Sequence, residues 1–161
     1  MLIIENGNQI PNANSFVTDA EFTAYATARN LTVGATVEDR EASLLLAVDY
    51  LTGMENSFQG YRVSSEQALL YPRRGVMLHG FLLASDKIPQ ELKNAQMESA
   101  IYQTSNSLLI NGEQSNLASF SVDGVYSESY HKGGSKVAVR LDSVNAQLSP
   151  LLMNVNKLVR V

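Results

Sequence analysis

The segment between Thr36 and Gly53 constrains the fold of this chain more than any other. Thr36 can cap a helix and Gly53 is suited to end one. Apolar residues between them form one stripe that a second stripe widens, namely Ala42, Leu45, Leu46 and Tyr50, then Leu44, Val48 and Leu51. A helix that is apolar on so much of its circumference is buried on more than one side. We therefore predict a core helix over residues 37–52, with Leu45 on its buried face.

Two more long helices are predicted on either side of this segment. Thr18 and Glu21 have the spacing of a capping box, which begins a helix over residues 19–30. Pro89 is favoured in a first helical turn and begins another over residues 89–106. The fold class that follows is mainly α, a small bundle of three principal helices.

Smaller elements complete the predicted architecture. Residues 64–70 could form a short helix, which Pro72 ends with Tyr71 packed inward. Asp123-Gly124 is a strong turn signal and predicts a β-hairpin near residues 118–130. We expect one helical domain over residues 1–148 and an extended C-terminal arm over residues 149–161.

The composition narrows the possible partners. Hydrophobic residues make up 45% of the 161 residues, which is enough for a packed core. The formal net charge is −4, whereas proteins that grip a phosphate backbone usually carry a basic balance. No apolar run approaches the roughly 18 residues of a membrane span, and the first residues lack the basic start of a secretion signal. We expect synthesis in a bacterial cytoplasm and no membrane partner.

The sequence offers no candidate for a catalytic site. His79 and His131 lack partners at metal-ligand spacing, and the chain has no cysteine. The sequence contains no nucleophile elbow, phosphate-binding loop or dinucleotide fingerprint. We predict that the chain is not an enzyme and that it has no catalytic residue, cofactor or metal.

The adjacent arginines Arg73 and Arg74 are candidate interaction residues. A guanidinium group binds phosphate or carboxylate with two parallel hydrogen bonds, so a nucleic-acid contact is one interpretation. A surface pair with one arginine bound to a helix acid is a second, and an ion pair between subunits is a third. We expect both arginines to face outward and to contact the portal or an adjacent subunit.

The last residues form the other candidate interaction segment. Chain ends are normally polar, yet this one holds seven large apolar side chains and an arginine, namely Leu151, Leu152, Met153, Val155, Leu158, Val159, Arg160 and Val161. Pro150 allows the segment to leave in a new direction. We predict an assembly arm that binds a portal protein or an adjacent subunit. The alternative is that it packs on its own subunit as a last core element.

Several short motifs together resemble a known family. They are IPNANSFVTDAEF, AVDYL, FQGYRVSSEQALLYPRRGV and IPQELKNAQMESA, in that order. In this order and spacing they resemble a tailed-phage family of DnaT-like single-stranded-DNA-binding proteins, whose members are similar to head–tail connector, or adaptor, proteins. The resemblance covers roughly residues 1–105. It departs at Phe58 and Tyr71, where family members often carry tryptophan.

The resemblance implies a function for the whole assembly. It implies a structural connector of the virion, a ring of twelve copies below the portal. Such a ring would extend the channel for double-stranded DNA and dock the next neck or tail-terminator protein. The alternative that the same resemblance offers is binding of single-stranded DNA. We expect the connector, because a strand-binding protein needs a basic groove with exposed aromatic residues, and the aromatic residues here fall mostly on predicted helix faces.

Overall fold

The computed structural model describes residues 1–105, 108, 119–122, 126–129 and 141–153, with the backbone alone for the two four-residue stretches. The chain divides into two compact units, Met1–Leu108 with Leu141–Val161, and Leu109–Arg140. The described part is mainly α-helical with short antiparallel strand pairs. The predicted fold class is confirmed.

The three principal helices lie close to their predicted positions. They are α1 (Asp19–Ala28), α2 (Val37–Gly53) and α3 (Gln90–Ser105). Thr18 caps α1 and Thr36 caps α2, each through a complete capping box. A fourth helix, α4 (Asp142–Leu148), packs on α3. The helix α2 packs on α1 and on α3.

The buried face of α2 is not the one that we predicted. Leu44, Val48 and Leu51 are almost fully buried, whereas Leu45 and Leu46 are only half-buried. Both stripes have helical spacing, so periodicity alone could not choose between them. The contact with α3 decides, because the Gln96 side chain of that helix donates a hydrogen bond to the Leu44 carbonyl oxygen.

A buried amide joins three distant parts of this unit. Gln96 is fully buried, and its Oε1 accepts a hydrogen bond of 3.0 Å from the backbone N–H of Phe16. Its Nε2 donates to Ser15 Oγ at 2.8 Å as well as to Leu44. The extended N-terminal segment, α2 and α3 are therefore held in one arrangement by a satisfied polar group.

Residues 64–70 do not form the predicted helix. They make turns between two short strands, β1 (Tyr61–Arg62) and β2 (Arg73–Arg74), which pair antiparallel. Gln67 accounts for the difference, because its buried carboxamide accepts from Val63 N and Ser64 N and donates to the Leu69 and Pro72 carbonyl oxygens. One side chain thus satisfies backbone groups that a helix would have paired. Tyr71 packs inward as predicted, with none of its surface exposed.

Two further strand pairs follow in the chain. The first joins β3 (Met77–Leu78) to β4 (Phe81–Leu82), in a region that the sequence did not show as a hairpin. The second joins β5 (Ser119–Val122) to β6 (Tyr126–Ser129), with Val122 opposite Tyr126. This second pair belongs to the unit Leu109–Arg140 and confirms the predicted hairpin. The turn residues Asp123 and Gly124 lie outside the described part.

The start of the predicted arm packs on the helical unit. Ser149–Leu151 forms a 3-10 helix directly after α4, and Leu151 is fully buried. The Leu151 carbonyl oxygen accepts from Gln59 N at 2.9 Å, and Met153 N donates to the Ser57 carbonyl oxygen at 2.8 Å. Up to Met153 the segment therefore contacts its own subunit. The assembly arm as a whole stays a prediction. Residues 154–161 lie outside the described part.

Candidate functional site

The pairing of β1 with β2 places three arginines and one tyrosine in different environments. Tyr61 lies opposite Arg74, and Arg62 lies opposite Arg73. Since successive residues of a strand point to opposite faces, Tyr61 and Arg74 share one face and the other two share the second. Tyr61 is 76% exposed and Arg73 is 6% exposed. The expectation that both arginines face outward is therefore wrong for Arg73 and right for Arg74.

The inward face is organised by one carboxylate. Glu55 lies in a 3-10 helix, Glu55–Ser57, and binds Arg62 through both oxygens at 2.6 Å. Arg73 Nη1 lies 3.3 Å from the same carboxylate. The hydrogen bonds from Arg62, more than any other contact, hold the pKa of Glu55 below its ordinary value. The buried arginine is thus paired, as a charge with so little exposure has to be.

Arg73 also holds the chain that leads into Tyr61. Its Nε donates to the Gln59 carbonyl oxygen and its Nη2 to that of Gly60, both at 2.8 Å. Gly60 has a φ of 69°, and a Cβ there would collide with the carbonyl oxygen of Arg74. The close approach of the two strands therefore requires glycine immediately before Tyr61.

The hairpin of β3 and β4 presents apolar side chains on both of its faces. Phe81 is 78% exposed, Leu82 69% and Met77 48%. The turn residues His79 and Gly80 both have positive φ, which is the geometry of a tight two-residue hairpin turn. His79 Nε2 lies 3.0 Å from Glu91 Oε1 and ties the turn to α3.

The two strand pairs adjoin. Arg74 is followed by Gly75, the fully buried Val76 and then β3, and Met77 N donates to Gln59 Oε1 at 3.2 Å. We call the exposed side chains of this region the aromatic cluster, and its members are Tyr61, Arg74, Met77, Phe81 and Leu82. Within the β3–β4 pair, Met77 and Leu82 share one face and Phe81 lies on the other. Several exposed apolar residues on adjoining strand pairs make this region a candidate binding surface.

Arg74 differs from most cations of the described chain. Arg40 binds Asp19, Lys93 binds Glu21, and Glu55 binds two arginines. Arg74 is exposed and makes no ion pair with any described residue. Its guanidinium group is therefore available to an anion from outside the chain.

The structure describes five of the ten residues predicted for the site. Arg73 is internal and Arg74 belongs to the aromatic cluster. In the C-terminal segment Leu151 is buried, Leu152 is half-buried and Met153 is 51% exposed. The remaining predicted interaction residues lie outside the described part, namely Val155, Leu158, Val159, Arg160 and Val161.

Sequence reasoning missed the two aromatic residues that are most exposed in the described part of the chain. Tyr61 and Phe81 each directly follow a glycine with positive φ, in the stretches FQGYRV and LHGFLL. A glycine–aromatic pair outside any helical pattern was the signal that could have found them, because it predicts a turn with a large side chain at its edge.

Two kinds of feature are absent from the described residues. No helix there is long and apolar enough to cross a membrane. Within the same ranges no three His, Asp or Glu side chains are grouped so that they could hold a metal ion.

Comparison with known proteins gives one match. A family model described as "Putative DnaT-like ssDNA binding protein" matches residues 1–161. No curated protein and no solved structure matches the chain. The match covers the whole chain, so the similarity to this family does not end near residue 105 as the short motifs indicated.

The family match corrects two predictions from the sequence. The predicted connector ring below a portal is wrong, because the matching family is one of single-stranded-DNA-binding proteins and agrees with the stated alternative. The predicted partners are wrong for the same reason, namely the portal, neighbouring ring subunits, the next neck protein and double-stranded DNA in a channel. Location in the virion and the absence of enzymatic activity stay predictions.

Proposed function

The chain belongs to the family of DnaT-like single-stranded-DNA-binding proteins, and on this premise we propose that it binds single-stranded DNA through the aromatic cluster. The ligand class comes from the family. The position of the binding surface comes from the exposed side chains on the two adjoining strand pairs.

One observation carries the position of the surface. Tyr61 and Phe81 are the two aromatic side chains that are more than three-quarters exposed among the described residues. An exposed ring forfeits the burial that aromatic residues normally gain, and it offers a flat surface to an unpaired base. Stacking on one such ring contributes about 1–3 kcal/mol per base, whatever the base. Two exposed rings, together with an arginine that makes no ion pair with the described residues, therefore provide the chemistry that a single strand needs.

The negative net charge does not oppose this proposal. Charge distribution matters more than the total, because a strand contacts only part of the surface. Five of the 12 Lys and Arg residues follow position 130, where Asp142 is the one acidic residue. Arg74 adds a cation on the aromatic cluster itself.

The test is a fluorescence-anisotropy titration with labelled oligothymidine of about 20 nucleotides, longer than the usual footprint of one binding module. We expect Tyr61→Ala and Phe81→Ala each to weaken binding by about 5- to 100-fold, the loss of one stacking contact. Tyr61→Phe keeps the ring and should bind as the wild-type protein does. A duplex of the same length should bind more weakly, because its bases are already stacked.

Arg74→Ala tests the electrostatic part. The slope of the logarithm of the binding constant against the logarithm of the salt concentration should become less steep by about 0.7. This is the effect of losing one phosphate contact to a single strand. Arg29→Ala is the matched control, since Arg29 is exposed at the end of α1 and stacks on Tyr25. The proposal is wrong if the wild-type protein does not bind the oligonucleotide. It is also wrong if Tyr61→Ala, Phe81→Ala and Arg74→Ala all bind as tightly as the wild-type protein.

A further inference from the structure

The outward residues of the β1–β2 pair depend on a support that lies behind them. This pair is only two residues long on each strand, and its inward residues are Arg62 and Arg73. A short two-stranded ladder is marginal by itself in water. Something other than its own hydrogen bonds must therefore fix the positions of Tyr61 and Arg74.

Glu55 contacts both inward residues. It binds Arg62 through two hydrogen bonds of 2.6 Å and Arg73 through one of 3.3 Å. Each arginine then reaches the backbone on either side of the ladder. Arg62 donates to the Gln67 carbonyl oxygen at 3.0 Å, and Arg73 donates to the carbonyl oxygens of Gln59 and Gly60. A single carboxylate thus connects the chain before β1 with the chain between the two strands.

We propose that Glu55 is a positioning residue for single-stranded-DNA binding, which acts by fixing Tyr61 and Arg74 on the opposite face of the ladder. This inference rests on the proposed function. Glu55 has no contact with the aromatic cluster's outward side chains among the described hydrogen bonds and ion pairs, so its effect passes through Arg62 and Arg73.

Glu55→Gln is the informative change. It keeps the shape of the side chain but replaces one acceptor oxygen with an NH₂ donor that would face a guanidinium N–H. We expect affinity for oligothymidine to fall about tenfold, the scale of one lost stacking contact. Glu66→Gln is the matched control, because Glu66 is exposed in the loop between the same strands. Both changes remove one negative charge, which by itself favours DNA, so net charge cannot explain a loss.

A double-mutant cycle separates positioning from general stability. In a Tyr61→Ala, Arg74→Ala background the residues to be positioned are absent, so Glu55→Gln should change affinity by less than about twofold, whereas independent effects would add. If Glu55→Gln does not fold, Arg62→Lys takes its place in the cycle, because it keeps the charge but loses the two-point contact. We then expect the same loss of affinity in the wild-type background and little change in the Tyr61→Ala, Arg74→Ala background. Circular dichroism checks that each variant is folded at the titration temperature.

The outcomes distinguish this inference from the proposed function. If the wild-type protein does not bind oligothymidine, the proposed function fails and this inference fails with it. If Tyr61→Ala and Phe81→Ala weaken binding but Glu55→Gln binds normally, only the positioning role is wrong. The same conclusion follows if Glu55→Gln causes an equal loss in both backgrounds.

Discussion

Arg73 and Arg74 are neighbours in sequence with opposite environments. Arg73 is 6% exposed and reaches Glu55 together with the Gln59, Gly60 and Leu70 carbonyl oxygens. Arg74 is exposed and makes no ion pair with the described residues. The alternation of a strand explains the difference. One arginine holds the structure together and the other is free to bind an external group.

This contrast predicts very different losses of stability. Arg73→Ala leaves the Gln59, Gly60 and Leu70 carbonyl oxygens without this donor and removes one of the two partners of Glu55, and it should lower the free energy of unfolding by about 3 kcal/mol. Arg74→Ala should change it by less than about 0.5 kcal/mol. Urea denaturation followed by circular dichroism measures both. Equal losses would contradict the assignment of one arginine to the interior.

At the scale of elements, α2 shows how a helix with two apolar stripes is oriented. The stripe with Leu44, Val48 and Leu51 is buried, and Leu45 is only half-buried. The contact of α2 with α3 fixes this choice, with Gln96 bridging to the Leu44 carbonyl oxygen.

Substitutions on the two stripes should differ accordingly. Leu44→Ala removes a fully buried side chain and should cost about 2–5 kcal/mol of stability, because it leaves a cavity. Leu45→Ala should cost about 1 kcal/mol, since part of that side chain is already in water. Chemical denaturation of the two variants decides the matter. A larger loss of stability for Leu45→Ala than for Leu44→Ala would show that the stripe with Leu45 is the buried one.

At the scale of the whole molecule, paired carboxylates link stability to pH. The hydrogen bond from Arg40 lowers the pKa of Asp19, and the hydrogen bonds from Arg62 lower that of Glu55. Their ordinary values are 3.8 and 4.5. In the unfolded chain these groups take up protons at a higher pH than in the folded chain. Their stabilisation is therefore complete above the ordinary values and is lost as pH falls through the lowered ones.

We expect these two groups to stabilise the fold by a constant amount near neutral pH, and the melting temperature to fall in acid below about pH 4.5 as that stabilisation is lost. The double variant Asp19→Asn, Glu55→Gln should melt lower than the wild-type protein at neutral pH and lose less on acidification. Thermal melts between neutral and acidic pH test this. Parallel curves for the two proteins would show that neither ion pair contributes to the acid sensitivity.

The sequence by itself determined the helices. Thr18 with Glu21 and Thr36 with Asp39 form capping boxes between residues three apart, and the apolar spacing of α1, α2 and α3 is equally local. Signals of this kind involve only neighbours in the chain, so the bounds of the three long helices could be predicted to within about two residues.

Only the tertiary structure decided which side chains are buried and which form the candidate site. Arg73 is internal because β1 pairs with β2, and the choice between the stripes of α2 depends on Gln96 in a later helix. The turns over residues 64–70 depend on the Gln67 carboxamide, whose hydrogen bonds replace those of a helix. The exposure of Tyr61 and Phe81 likewise follows from strand pairs only two residues long. Burial is set by contacts between residues distant in the chain, and no local pattern of residue types specifies those contacts.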